Sequence, residues 1–178
     1  MAPRIPRSPT AIALLFVLVS TLTACGTTGV GLPTDTGPTV LEPNAVVIRA
    51  VDGDTVDLRV GKRRERVRLI GINTPETVDP RKPIECFGPE AKQETKHLLP
   101  SGTQVRVERD LEPRDDYGRL LVYVYRASDG LFVNLELVNS GLAVPLRIAP
   151  NTAHAAEFAA AATAAERASL GLWSACPR

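Results

Sequence analysis

Ala45 to Glu76 reads A-V-V-I-R-A-V-D-G-D-T-V-D-L-R-V-G-K-R-R-E-R-V-R-L-I-G-I-N-T-P-E. Its punctuation decides the fold. Val46 to Val51 is a largely β-branched run, and Val56, Leu58 and Val60 then alternate with Thr55, Asp57 and Arg59, the period of a half-buried strand. Asp52-Gly53-Asp54 between them is a turn signal, and Gly61-Lys62 is a second. Glu65 to Ile72 is the third strand, with Arg66 and Arg68 on one face and Val67 and Leu69 on the other. Pro75 fixes its own φ and pushes Thr74 away from helical geometry, so that strand stops there. Strands joined by turns this short form an antiparallel meander.

Downstream, Thr77 to Phe87 has no period and reads as a loop. Pro89 suits the first turn of a helix, and Glu90 complements its positive end. That helix runs to about Leu99 and stops at Pro100-Ser101-Gly102. Val105 and Val107 mark a fourth strand, Leu111 to Gly118 a charged loop, and Arg119 to Arg126 a fifth strand that Asp129-Gly130 turns back toward Leu131 to Val133. Asn134 to Ser140 is a short helix ended by Gly141, and Thr152 to Leu170 an alanine-rich helix stopped by Gly171. Short strands interrupted and followed by helices predict an α+β domain on a small barrel.

Upstream the character changes. Arg4 and Arg7 open a basic start, and Ala11 to Leu22 is an apolar run too short to span a membrane. Leu22-Thr23-Ala24-Cys25 resembles a bacterial lipobox, in which the cysteine is lipidated; the alternative is an ordinary cleaved signal with an incidental cysteine. Gly26 to Asn44 is rich in Gly, Thr and Pro and reads as a tether with a reach of roughly 25 Å. The expected organisation is a signal peptide at 1–24, a lipidated Cys25 and tether at 25–44, and a folded domain at 45–178. It places the protein on the cell membrane, lipid-anchored on the extracytoplasmic side.

The full chain of 178 residues carries a formal charge of +1. The signal holds two arginines and no acids, which leaves 19 basic against 20 acidic side chains in the mature chain. A globally basic, polyanion-seeking surface is excluded, so nucleic-acid binding requires a local patch. Cys86 and Cys176 remain after Cys25, and outside the membrane that pair is either a disulfide or two buried thiols.

The candidate chemistry sits where strands end. Asp54 leaves the first turn, and Asn73, Thr74 and Glu76 end the third strand. Carboxylate, amide and carbonyl oxygens suit a hard cation such as Ca²⁺ or Mg²⁺, and no histidine or cysteine cluster accompanies them, which argues against zinc. Taken singly, Asp-Gly-Asp is also an ordinary solvated turn and Thr-Pro-Glu an ordinary helix start. Arg68 and Arg119, if they converge near the cation, match a phosphate, because each guanidinium fork pairs with its oxygens. Arg59, Lys62, Arg63, Arg64 and Arg66 form a basic run, readable as a solvated face or as a surface that steers polyanions.

Val51-Asp52-Gly53-Asp54-Thr55-Val56, Arg68 to Glu76, Gly88-Pro89-Glu90-Ala91 and Asp116-Tyr117-Gly118-Arg119 occur in this order. Together they resemble the staphylococcal nuclease, or thermonuclease, family over roughly residues 45–174. The resemblance implies a five-stranded OB-fold barrel with three helices, and Ca²⁺-dependent cleavage of DNA and RNA that leaves 3′-phosphates. It implies Asp54 as a calcium carboxylate, Thr74 as a ligand through its carbonyl, and Glu76 as the group that positions the attacking water. Arg68 and Arg119 become the pair that binds the scissile phosphate, with Tyr117 beside the substrate. Single-stranded DNA and RNA are the expected partners of a monomer. Four positions, in three places, depart from the family. Asn73 replaces a calcium-ligating aspartate, which predicts weaker Ca²⁺ binding. Leu146 and Ile148 replace tyrosines near the nucleotide, and Asp116 replaces a lysine. The rival expectation is a barrel that binds oligonucleotide or protein without turnover; retention of Asp54, Arg68, Glu76 and Arg119 favours the enzyme.

Overall fold

The computed structural model describes residues 39–77, 79–80 and 83–176. The expected signal peptide, Cys25 and most of the tether lie outside the described residues. No helix among the described residues is long and apolar enough to cross a membrane.

Five strands close into a barrel in the order β1 (Ala45–Ala50), β2 (Thr55–Val60), β3 (Arg63–Leu69), β6 (Leu120–Arg126) and β5 (Gln104–Glu108). The meander β1–β2–β3 and the β5 contacts with β1 and β6 are antiparallel, whereas β3 and β6 run parallel. The apolar positions of the alternation face the barrel interior, while Thr55 and Asp57 of the alternate set in β2 are buried as well. Val56, Leu58, Val67, Leu69, Val105, Val122 and Val124 point inward and are fully buried, each stabilising the barrel by about 1.5–3 kcal/mol.

Around the barrel lie α1 (Gly88–Leu98), α2 (Val133–Asn139), α3 (Ala155–Arg167) and α4 (Leu172–Ala175), with the two-residue strands β4 (Ile72–Asn73) and β7 (Val144–Pro145) paired beside them. The fourth helix is a single turn beyond the expected three. The alanine-rich helix is shorter than expected at both ends, because Thr152 accepts only a turn bond from Ala155 and Ser169 adopts φ 52°. Leu131 to Val133 is not a strand. A lone bridge joins Phe132 to Tyr125, and α2 begins at Val133.

The third strand does not continue to Ile72. It ends at Leu69, and Gly71 breaks it with φ +80°, a conformation open to glycine and costly for other residues. A Cβ at Gly71 would lie 2.2 Å from Cε2 of Phe158, so α3 packs directly onto this backbone. Asn134, fully buried, fastens the same corner: its side chain accepts from Val124 N–H at 3.0 Å and donates to the Ile70 carbonyl at 3.0 Å. The break turns β4 away from the barrel and aims Asn73 to Glu76 across the first hairpin.

Two ends of the domain are tied down. Asn44 exchanges two side-chain bonds with the Val107 backbone, at 2.9 and 2.8 Å, and Leu41 N–H already donates to the Ala127 carbonyl at 2.8 Å, so the chain is tied to the domain several residues ahead of Ala45. Cys86 and Cys176 are joined by a disulfide, with Cα atoms 5.8 Å apart.

Candidate active site

Asp54 stands at the mouth of the β1–β2 hairpin and is 6% exposed. Its Oδ2 accepts the backbone N–H of Thr74 at 2.9 Å and an Arg68 Nη2 hydrogen at 3.0 Å, and its Oδ1 accepts the Thr55 hydroxyl at 3.2 Å. The same Arg68 nitrogen donates to Asn73 Oδ1 at 3.1 Å. Asp54, Asn73, Thr74 and Arg68 therefore form one network. Antiparallel pairing explains part of it: Thr55 lies opposite Arg68 across β2 and β3, so Asp54 meets the strand just where Arg68 emerges.

Glu76 is held beside this network by a second link. Thr77 donates its hydroxyl to Asp52 Oδ1 at 2.5 Å, which lays residues 74–77 along the Asp52–Asp54 turn. Glu76 Oε1 accepts the backbone N–H groups of Thr77 at 2.9 Å and Asp79 at 3.1 Å. Its own N–H donates to Glu85 Oε2 at 3.0 Å, and Glu85 N–H returns a bond to the Glu76 carbonyl at 3.0 Å. Burial pushes the Asp52 carboxyl above its usual range, the Thr77 bond opposes this, and the neighbouring Glu76 carboxylate adds to it. Asp52 was absent from the sequence-derived set although it shares the Asp-Gly-Asp turn with Asp54. Its partner Thr77 identifies it only in three dimensions.

Arg119 enters from the β5–β6 loop. Asp115 accepts its Nε–H at 2.7 Å and its backbone N–H at 2.9 Å, and so sets the direction of the guanidinium. Asp115, too, was missed; the run Asp115-Asp116-Tyr117-Gly118-Arg119 contained the signal. Burial pushes the Arg68 guanidinium below its ordinary range, Asp54 acts against this, and the charge of Arg119 lowers it further. The two arginines are thus close enough to feel each other. Both line a cleft of about 620 Å³ with Asp115, Tyr117, Leu146 and Ile148. Tyr117 is 86% exposed, with the Arg119 guanidinium 5.4 Å from its ring centre. It does not pack against the barrel, which leaves its face to the cleft. Leu146 and Ile148 present apolar surface to the same cleft, 36% and 62% exposed.

The donor set fits a hard divalent cation. Among the described residues no group of three histidine, cysteine or acidic side chains could hold a metal. The oxygens that would hold such an ion are the Asp54 carboxylate, the Asn73 amide and the Thr74 main chain. Thr74 adds a buried hydroxyl that has no hydrogen-bond partner, a polar atom facing this region with its capacity unused.

Carboxylate, amide and main-chain oxygens beside Arg68 and Arg119 on a small mixed barrel are the chemistry that suits a phosphate group. Residues 66–175 match the family described as staphylococcal nuclease homologue, and the chain belongs to that family. It is 40% identical over 128 residues to the thermonuclease of Staphylococcus intermedius, covering 72% of this chain and 74% of that protein. The thermonuclease of Staphylococcus hyicus is 35% identical over the same shares. Endonuclease YncB of Bacillus subtilis (strain 168) is 36% identical over 133 residues, 74% of this chain and 62% of that protein.

Proposed function

We propose that the chain is a Ca²⁺-dependent nuclease that hydrolyses phosphodiester bonds of DNA and RNA, preferring single strands and leaving 3′-phosphates. The observation that carries this reading is the single Arg68 nitrogen that contacts both Asp54 and Asn73. A phosphate-binding cation and the oxygen ligands then occupy one site. The Asp54 carboxylate, the Asn73 amide and the Thr74 carbonyl would hold Ca²⁺, whose charge offsets that of the phosphate oxygens.

The protein's own groups supply the rest. Arg68 and Arg119 donate to the non-bridging oxygens and stabilise the charge that builds there in the transition state. Glu76, fixed by two backbone N–H groups on one oxygen, orients a water against phosphorus and takes its proton. As the water oxygen bonds to phosphorus the bond to the 5′ oxygen breaks, and that oxygen leaves and takes up a proton from solvent as a 5′-hydroxyl. Tyr117 offers its exposed ring to a base. We further propose that Cys25 is lipidated and that the domain acts as a monomer tethered to the outer face of the membrane.

The decisive assay follows labelled single-stranded DNA with the purified chain in Ca²⁺ and in excess chelator. Cleavage is expected with Ca²⁺ alone, and Glu76→Gln lowers turnover by about 10²–10⁴-fold. Cleavage that persists in chelator removes the metal assignment. Tight oligonucleotide binding with no cleavage in Ca²⁺ makes the chain a binding module instead.

A further inference from the structure

The outer face of β2 and β3 carries a charge arrangement that the cleavage site does not use. Asp57 is buried beneath it, with its side chain 2% exposed. Its carboxylate accepts Arg49 Nε–H at 2.9 Å, Arg64 Nη2–H at 2.6 Å and Arg66 Nε–H at 2.9 Å. The three arginine side chains remain 57%, 58% and 49% exposed. One carboxylate neutralises one of the three charges, so the cluster keeps two positive charges at the surface. Cross-strand pairing extends it, because Arg59 lies opposite Arg64 and is itself exposed.

The placement of this face matters more than its charge. Alternate residues of a strand share a side and are spaced by roughly 6.6 Å. Arg64, Arg66 and Arg68 therefore form one row along β3, and the last of them is the guanidinium that lines the cleft. Asp57 holds Arg49, Arg64 and Arg66 by one edge each, which orders them before any ligand arrives and lowers the entropy cost of binding. Each fork still directs N–H groups to solvent, the geometry that pairs with phosphate oxygens.

We propose that this face is a second phosphate-binding track that continues the cleft, seating backbone phosphates that flank the one at Arg68. The track rests on the nuclease reading for its substrate and makes the enzyme favour long polynucleotides over short ones. The contacts are with phosphates alone, so they add affinity and salt dependence without base preference.

The test is fluorescence anisotropy of a labelled single-stranded 20-mer and a labelled trinucleotide with the full chain. Excess chelator is present, so binding is read apart from cleavage. In Arg49→Gln/Arg64→Gln, which leaves Arg66 on Asp57, the 20-mer should bind about tenfold more weakly at low salt. Its salt slope should fall by about 1.4 in magnitude, roughly 0.7 for each phosphate contact on a single strand. Trinucleotide affinity should not change. Arg59→Gln, which touches no bond to Asp57, should lower the slope by about 0.7 and covers the case in which the double variant fails to fold. A control pair on α1, Lys92→Gln/Lys96→Gln, should leave the slope at the wild-type value. An unchanged slope in the track variants, an equal loss on the trinucleotide or an equal loss in the control overturns the proposal. So does a variant that keeps its affinity for the 20-mer but no longer sediments with phosphatidylglycerol vesicles, since the face would then be a lipid contact. A chain that binds with the expected dependence but never cuts in Ca²⁺ removes the nuclease reading and leaves the track standing.

Discussion

Arg68 donates to Asp54 at 3.0 Å, and the two side chains are only 12% and 9% exposed. A nearly buried carboxylate beside a guanidinium has already given part of its charge away before a cation arrives. Asn73, bonded to the same Arg68 nitrogen, contributes an amide where a second carboxylate could stand. The oxygen site is therefore poor in negative charge, and its affinity for a divalent ion should be correspondingly low.

Restoring that charge is the first test. Asn73→Asp should raise Ca²⁺ affinity by about tenfold, equivalent to about 1.4 kcal/mol, in isothermal titration of the purified chain. Folding should change little, since Asn73 is exposed. An affinity equal to that of the wild type would show that Asn73 is not a ligand.

The disulfide should matter twice. Cys86 and Cys176 are separated by 90 positions, and closing a loop of that length constrains the unfolded chain by about 4–5 kcal/mol in the chain-entropy account. Cys86→Ser/Cys176→Ser should therefore lower Tm by more than about 10 °C. Glu85, next to Cys86, holds the backbone of Glu76 from both sides. Loosening that loop end should also reduce turnover at temperatures where the variant is still folded. Mass spectrometry of an unreduced digest should find the two cysteine peptides linked, and free thiols in the native protein would dismiss both effects.

Acid should act through Asp57. Burial raises its carboxyl pKa, but the bonds from Arg66, Arg64 and Arg49 outweigh that and hold it well below the usual carboxylate range. A group whose folded pKa is depressed contributes its full stability above the unfolded value of about 4. That contribution is lost as pH falls from there toward the folded value. Urea unfolding should show wild-type stability declining below about pH 4. Asp57→Asn should be about 2 kcal/mol less stable at pH 7 and should decline less steeply in acid. Parallel pH profiles for the two proteins would refute the assignment.

The meander and both hairpin turns were legible because each is local: period-2 alternation of apolar side chains, and Gly and Asp at the turns. The parallel pairing of β3 with β6 was not, since no residue of Val67 to Leu69 marks its distant partners Leu120 to Val122. The break at Gly71 was also hidden. A glycine within an apolar run looks like part of a strand until the Phe158 ring of a remote helix is seen against it. The site divides in the same way. Asp54, Arg68 and Glu76 could be chosen from their places on strands and turns, whereas Asp52 and Asp115 act by holding Thr77 and Arg119, and such pairings exist only after folding.

Gly53 offers the sharpest test of how tightly the site is framed. It separates Asp52 from Asp54, and a Cβ there would lie 2.6 Å from Thr74 Oγ1 and 2.8 Å from Thr74 Cβ. The other side of the turn is closed as well, because Thr95 on α1 donates to the Gly53 carbonyl at 2.6 Å. Gly53→Ala cannot be absorbed by rotating one side chain, since the backbone-borne Cβ of Thr74 is itself in the way. The end of β4 must move, and with it the Thr74 carbonyl and the N–H that supports Asp54. Overpacking of this kind costs about 1–3 kcal/mol, so Tm should fall by several degrees. Ca²⁺ affinity should fall further, by about tenfold, because the displaced atoms are proposed ligands. Calorimetric titration at a temperature where the variant remains folded separates the two effects. Wild-type affinity in a folded Gly53→Ala protein would mean that Thr74 takes no part in holding the ion.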